Sequence, residues 1–193
     1  MKTIEINRKT SETDIKLTLD FDAPYAGSFD TELGFLNHML NTFAKYCNIN
    51  MKLVASGDLY VDTHHLIEDI AIVLGKAIRE RIDQNSKIKR FGYTILPMDD
   101  SLILLSLDLS GRSFLNYDVS IDSSSIGDIP TENYKEFFMK LTNNAMMNLH
   151  IQKLAGENSH HIIENIFKAL GLCLKDALEE NEAILSTKGT IGG

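Results

Sequence analysis

Six histidines carry most of the chemistry that this sequence of 193 residues can support. Four of them form two adjacent pairs, and a glutamate follows each pair, in HHLIE at residues 64–68 and HHIIE at residues 160–164. Residues three and four positions apart lie about 60° and 40° from each other around a helix, so each pair and its glutamate face one side of a helix. Imidazole nitrogens and carboxylate oxygens grouped in this way favour metal binding.

The two segments belong to a longer internal repeat. Residues 62–70 align with residues 158–166 at an offset of 96, and the same offset matches Leu74-Gly75 with Leu170-Gly171. A period of about half the chain indicates duplication of a half-domain. We therefore expect residues 1–193 to form a single domain made of two repeated halves. Its halves are predicted at about 1–88 and 89–180, with a C-terminal tail at 181–193.

Both halves have the same predicted order of elements. Each half begins with a strand of near-alternating polarity (13–19; 101–109), followed by an amphipathic helix (33–46; 132–146). A short strand (51–55; 147–154) and a helix that starts at the histidine pair (65–81; 161–178) complete each half. Asp62 or Thr63, and Asn158 or Ser159, are candidate N-caps of the last helix in each half. The order predicts an α+β fold whose two halves pack as one unit.

Composition excludes several classes of protein. The net charge of -8 argues against a general nucleic-acid or anionic-membrane surface. The N-terminus lacks the apolar run of a signal peptide, and the most apolar stretch, 101–109, is shorter than the roughly 18 residues of a membrane span. We expect a cytoplasmic protein. Cys47 and Cys173 are far apart in the sequence, and we expect both to be reduced and buried.

The remaining histidines, His38 and His150, have Tyr134 and Val54 as their partners at the offset of 96, so the repeat does not support them as ligands. Adjacent histidines do not readily reach one ion, which favours two ions. Six histidines and two glutamates give four ligands per ion, leaving two open positions in octahedral coordination. Mn²⁺ suits this donor set, and Zn²⁺ is a competitor. The predicted metal ligands are His38, His64, His65, Glu68, His150, His160, His161 and Glu164.

Nine short motifs follow one another along the chain: GFLNHML (34–40), GDL (57–59), DTHHLIED (62–69), RFG (90–92), PMDD (97–100), SGR (110–112), LAGENSHHIIE (154–164), FKA (167–169) and STKG (186–189). Together they resemble the imidazoleglycerol-phosphate dehydratase family, and the likeness runs from Arg8 to Gly189. The resemblance implies a ribosomal protein S5 domain 2-like fold. It also implies a hydro-lyase of histidine biosynthesis that removes water from imidazole glycerol phosphate to give imidazole acetol phosphate. Two Mn²⁺ per active site and a homo-oligomer of 24 subunits, with active sites between subunits, are implied as well.

The resemblance also implies roles for individual residues. Glu12 would bind substrate and act as the base that removes a C–H proton. Lys168 has geometric support as a phosphate ligand, because it lies about 20° around the helix from His161 and about 10 Å further along. Its partner at the offset of 96 is Ile72, so the halves are not functionally equivalent. The residues implied to bind the phosphate-bearing substrate are Arg90, Arg112, Lys168, Ser186 and Lys188.

Two other functions stay open at this point: a dinuclear metallohydrolase, since paired ions also activate water, and a non-catalytic metal store. The chain also departs from the family pattern at two positions. Asn37 stands where an aspartate is common and is expected to weaken any hydrogen bond to His38. Asn165 follows Glu164 where a small residue is common.

Overall fold

A computed structural model describes residues 3–186 and 189–191 of the chain. The first half contains β1 (Ile4–Lys9), β2 (Thr13–Asp20), β3 (Ala26–Asp30), α1 (Gly34–Cys47), β4 (Asn50–Gly57) and α2 (His64–Gln84). The second half contains β5 (Phe91–Met98), β6 (Ser101–Asp108), β7 (Phe114–Asp118), β8 (Ser125–Ile126), β9 (Ile129–Pro130), α3 (Glu132–Ala145), β10 (Asn148–Ala155) and α4 (Ser159–Leu178). The predicted strands and helices are confirmed, with small shifts of their ends.

The two halves form sheets with the same topology. The strand order is β1-β2-β4-β3 in one sheet and β5-β6-β10-β7 in the other. In each sheet the last pair is parallel and the other pairs are antiparallel. Ile15, Leu17 and Leu19 alternate with more exposed residues along β2, so one face of the sheet enters the core. The matching topologies confirm an α+β fold made by duplication of a half-domain.

The helices pack between the sheets and across the two halves. Helix α2 contacts its own sheet and α3, whereas α4 contacts β5, β6 and α1. Two glycines allow this close approach. A Cβ at Gly75 would lie 2.7 Å from the carbonyl oxygen of Leu141, and one at Gly171 would lie 2.7 Å from that of Phe43. The helix layer places the N-termini of α2 and α4, which carry the histidine pairs, beside α3 and α1.

The constant offset of 96 residues is wrong outside α2 and α4. Strands β5, β6 and β7 follow their counterparts β1, β2 and β3 by 88 residues in the sequence. Helix α3 follows α1 by 98 residues, and β10 follows β4 by 98 residues. The segment with β8 and β9 lengthens the connection from β7 to α3, and the connection into α4 is shorter than that into α2. The structural counterpart of His38 is therefore Glu136 and not Tyr134. That of His150 is Lys52 and not Val54.

Two further sequence predictions concern the cysteines and the membrane. Cys47 and Cys173 are buried free thiols, as predicted, and burial raises the pKa of each to about 12. Neither thiol is therefore an active nucleophile at neutral pH. None of the helices within the described ranges has the length and apolar character needed to span a bilayer.

Candidate metal centre

Helices α1 and α4 bring together one group of metal-ligating side chains, here called cluster A: His38, His160 and Glu164. One potential ligand atom from each residue lies within 4.8 Å of the other two. His160 Nε2 is 3.2 Å from Glu164 Oε2, and His38 Nε2 is 3.6 Å from the same oxygen. The ring of Phe35 packs edge-on against His160, which helps to fix the orientation of the imidazole.

Helices α2 and α3 form a similar group, cluster B: His64, Glu68 and Glu136. His64 Nε2 is 3.2 Å from Glu68 Oε2, one helical turn away. Lys140 Nζ lies 3.1 Å from Glu68 Oε1 and 3.2 Å from Glu136 Oε1. Glu136 was not among the sequence-predicted ligands, because the offset of 96 paired His38 with the wrong residue of α3.

Polar side chains before each histidine pair cap the helices that carry the clusters. Asn158 Oδ1 accepts hydrogen bonds from the backbone N–H groups of His160 (3.0 Å) and His161 (3.2 Å). Asp62 Oδ1 accepts one from the N–H of His64 at 2.7 Å. These bonds satisfy N–H groups that have no partner inside the helix, so both helices begin at their histidine pairs.

The second histidine of each pair is held by an aspartate. His65 Nδ1 lies 3.0 Å from Asp58 Oδ2, and His161 Nδ1 lies 2.6 Å from Asp100 Oδ1. An Nδ1–H that donates to a carboxylate leaves the Nε2 lone pair free for a metal ion. The hydrogen bond with Asp58 raises the pKa of His65.

Asp100 has two further hydrogen bonds that hold it in place. The backbone N–H groups of Asn158 and Glu157 donate to Asp100 Oδ2 and, with His161, lower the pKa of this carboxyl. Asp58 and Asp100 are functional candidates that the sequence analysis did not assign. They lie in motifs already noted, GDL and PMDD, but neither spacing nor periodicity indicates that they face a histidine.

Glu12 lies in the turn between β1 and β2. Thr10 Oγ1 accepts hydrogen bonds from the N–H groups of Glu12 (3.1 Å) and Thr13 (3.0 Å), which closes the turn. The Asp58 N–H donates to the Glu12 carbonyl oxygen at 3.1 Å, joining the turn to the end of β4. The half-exposed Glu12 carboxylate is 3.9 Å from His65 Nδ1, too far for a hydrogen bond.

A partly buried ion pair and a hydrogen bond join the residues beside this turn to α2. Thr13 Oγ1 donates to Asp69 Oδ2 at 2.5 Å, and an Arg8 nitrogen lies 2.8 Å from Asp69 Oδ1. Asn165 is the counterpart of Asp69 in the second half, where its Nδ2 donates to Ser101 Oγ at 3.1 Å. The amide at residue 165, noted as a departure in the sequence, therefore anchors α4 to the start of β6.

Asn37 does not act on His38 in the described chain. Its Oδ1 accepts hydrogen bonds from the Thr31 N–H at 3.1 Å and from Thr31 Oγ1 at 2.8 Å. These contacts fix the segment that leads into α1. The expectation that Asn37 weakens a hydrogen bond to His38 is wrong, because the side chain is already engaged with Thr31.

One predicted phosphate ligand contacts a member of cluster A. Lys168 Nζ lies 3.0 Å from Glu164 Oε1 and 5.6 Å from the centre of the Tyr46 ring. Its ammonium therefore lies beside a predicted metal ligand, and its role in binding phosphate stays a prediction. Lys188 lies outside the described residues.

Arg90, another predicted phosphate ligand, lies away from both clusters. Arg90 forms a bidentate pair with Asp108 and donates to the carbonyl oxygen of Leu185 at 2.7 Å, next to Ser186. The Arg90 N–H also bonds to the carbonyl oxygen of Ala177, roughly 24 Å along α4 from its histidine pair. Within one copy of the chain, Arg90 therefore lies far from clusters A and B.

His150 and Arg112 are also separated from the clusters. His150 is exposed on the outer face of β10, where its ring lies 5.4 Å from that of Phe114. The exposed Arg112 lies near the start of the same strand, since its carbonyl oxygen accepts a hydrogen bond from Asn148. His150 is part of neither cluster, and its role as a ligand stays a prediction.

The residues present fit metal ions. Each cluster combines imidazole nitrogen with carboxylate oxygen, and His65 and His161 each have an Nε2 kept free by an aspartate on the other nitrogen. Nitrogen and oxygen donors without thiolate suit first-row divalent ions, and histidines oriented by a carboxylate are a recurring feature of metal sites. The geometry therefore supports metal binding at cluster A and at cluster B.

Comparison with known proteins agrees with this chemistry. The profile of the imidazoleglycerol-phosphate dehydratase family matches residues 31–174. The imidazoleglycerol-phosphate dehydratase of Clostridium novyi is 46% identical over 187 residues, with 95% of both chains covered. That of Lachnoclostridium phytofermentans is 44% identical over 193 residues, with 98% of both covered.

Solved structures of two such enzymes have the same fold. The Pyrococcus furiosus enzyme has a TM-score of 0.84 and 41% identity, covering 96% of this chain and 99% of its own. The Staphylococcus aureus enzyme has a TM-score of 0.85 and 33% identity, covering 93% and 100%. Fold, site and relatives together define a hydro-lyase, an enzyme that breaks a carbon–oxygen bond by eliminating water. More particularly, the chain belongs to the imidazoleglycerol-phosphate dehydratase family, which serves histidine biosynthesis.

Proposed function

We propose that the chain eliminates water from imidazole glycerol phosphate at a site that holds two Mn²⁺ ions, with Glu12 as the base. The observation that carries this proposal is the pair of three-residue clusters at the N-termini of α2 and α4. Each cluster supplies three ligands, and His65 and His161 offer two further nitrogens. The proposed ligands from the sequence are His38, His64, His65, Glu68, His150, His160, His161 and Glu164.

The proposed site is completed by neighbouring copies of the chain. The separation of Arg90, Arg112 and His150 from the clusters supports this, because all three would reach a cluster only from another subunit. The outer face of the second sheet also supports it, since Phe91, Tyr93, Ile95 and Phe114 expose about half or more of their surface there. We propose a homo-oligomer, with 24 subunits as the expected number.

The substrate's phosphate is proposed to bind Arg90, Arg112, Lys168, Ser186 and Lys188. Arg90 and Lys168 are already engaged with carboxylates, Asp108 and Glu164 respectively. A phosphate would therefore compete with Glu164 for the Lys168 ammonium. Metal binding at Glu164 favours that exchange, because the carboxylate charge is then shared with the ion.

The assignment of Glu12 as the base is supported by comparison of the two halves. The counterpart of Glu12, 88 residues later, is Asp100, and each residue directly precedes the second strand of its half. Asp100 holds His161, whereas in the first half Asp58 holds the equivalent His65. Because Asp58 takes over that task, the Glu12 carboxylate is available to accept a proton.

In the proposed reaction the bond between carbon and the leaving hydroxyl breaks, and Glu12 accepts the proton from the adjacent carbon. The departing hydroxide and that proton make up the water that is lost, and the enol product becomes the ketone by proton transfer. No carbonyl acidifies this C–H bond in the substrate. The chemistry that the metal ions supply when bound is stabilisation of the substrate's imidazole as an imidazolate.

The test is to incubate the purified protein with imidazole glycerol phosphate and to measure both imidazole acetol phosphate and inorganic phosphate. We expect the dehydrated product to form in the presence of Mn²⁺ and to disappear after chelation, with no release of phosphate. Release of phosphate without dehydration would favour a metallohydrolase and contradict the proposal. Metal uptake without either product would favour a metal store.

A further inference from the structure

Clusters A and B are related by the internal repeat, but they differ at one ligand position. His38 is the fifth residue of α1, and Glu136 is the fifth residue of α3. His64 and Glu68 of α2 correspond to His160 and Glu164 of α4. Cluster A therefore presents two imidazoles and one carboxylate, whereas cluster B presents one imidazole and two carboxylates.

A lysine accompanies the additional carboxylate of cluster B. Lys140, one turn after Glu136 on α3, places its ammonium 3.2 Å from Glu136 Oε1 and 3.1 Å from Glu68 Oε1. Its counterpart in α1 is the buried Thr42, so cluster A receives no such charge from that helix. The Glu136–Lys140 pair thus adds no net charge at the position where the other half has a histidine.

We propose that Glu136 is a metal ligand and that Lys140 balances its charge, so that the two metal sites are chemically unequal. This inference rests on the proposed function, and it changes the ligand set. Clusters A and B with His65 and His161 supply eight ligands without His150. Carboxylates suit Mn²⁺, whereas imidazole suits Zn²⁺, Ni²⁺ and Cu²⁺ as well. The site at cluster B therefore has the greater preference for Mn²⁺ over Zn²⁺.

The experiment measures bound Mn²⁺ by elemental analysis and calorimetric titration of the metal-stripped full chain. Glu136→Gln is expected to weaken one of two Mn²⁺ sites by more than about tenfold, since loss even of an outer partner of a ligand costs about 10- to 100-fold. His150→Gln should retain both ions. Glu132→Gln removes the same charge from an exposed position of the same helix and serves as the matched control.

A second variant, Glu136→His, makes cluster B resemble cluster A. It should bind two ions per chain with an affinity that Glu136→Gln lacks at one site. Its affinity for Zn²⁺ relative to Mn²⁺ should increase at that site only. A Glu136→Gln protein that binds two Mn²⁺ with unchanged affinity overturns the inference. Loss of one ion in His150→Gln but not in Glu136→Gln overturns it too. A native chain that binds no metal contradicts the proposed function itself, before any variant is compared.

Discussion

Replacing Glu12 by glutamine is expected to remove proton transfer to this side chain without changing the fold, metal binding or substrate binding. The glutamine keeps the size of the side chain but cannot accept the substrate's proton. The turn should stay intact, because its hydrogen bonds use Thr10 Oγ1 and the backbone N–H groups of Glu12, Thr13 and Asp58. The carboxylate itself is half exposed and 3.9 Å from His65 Nδ1, so little structural contact is lost.

The expected loss lies in kcat. A general base contributes about 10²- to 10⁴-fold, which corresponds to about 2.7–5.5 kcal/mol of transition-state stabilisation. Metal content and substrate affinity should stay close to those of the native protein, since Asp58 continues to orient His65. Single-turnover kinetics, calorimetric binding of substrate and elemental analysis measure the three quantities. Glu5→Gln, at an exposed position of β1, is the matched control.

Two results would refute this reasoning in different ways. A kcat near that of the native enzyme would remove Glu12 from proton transfer. A fall in substrate affinity that accounts for the whole fall in rate would assign Glu12 to binding alone. Either result would leave the metal clusters as described.

Three further predictions test the surroundings of the site. Asp100→Asn should lower metal affinity by about 10- to 100-fold, because His161 loses its carboxylate partner while Glu136 and Glu164 stay in place. Calorimetry measures the affinity, and an unchanged value would contradict the prediction. Gly171→Ala should destabilise the fold by about 1–3 kcal/mol in urea unfolding, since the added methyl meets backbone atoms of α1, whereas Gly34→Ala, in open space, should not. Excess chelator should reduce the particle mass in light scattering if ions join subunits, and an unchanged mass would exclude that role.

The histidine pairs and their glutamates could be predicted from sequence because helical spacing and an exact repeat coincide there. The alignment of the two halves outside these segments could not be predicted, because loops change length more easily than packed elements do. The segment with β8 and β9 shifts α3 by ten residues relative to the preceding strands, and this shift concealed Glu136. The equivalence of Glu12 and Asp100 could not be predicted either, because few residues of the two turns are identical.

Contacts between a side chain and a distant backbone were also beyond prediction. Asp100 accepts two N–H bonds from residues more than 50 positions away, and its own neighbours give no indication of them. Asn37 has Thr31, six positions earlier, as its partner, and not its neighbour His38. Helical and strand periodicity indicates neither of these partners.

The proposed dehydration depends on two metal ions bound by this chain's histidines and carboxylates. Titration of the metal-free protein with Mn²⁺, with formation of imidazole acetol phosphate followed at each addition, measures this dependence. We predict that activity rises until two ions per chain are bound and then stays constant. Full activity at one ion per chain, or in the absence of any divalent ion, would contradict a requirement for two ions.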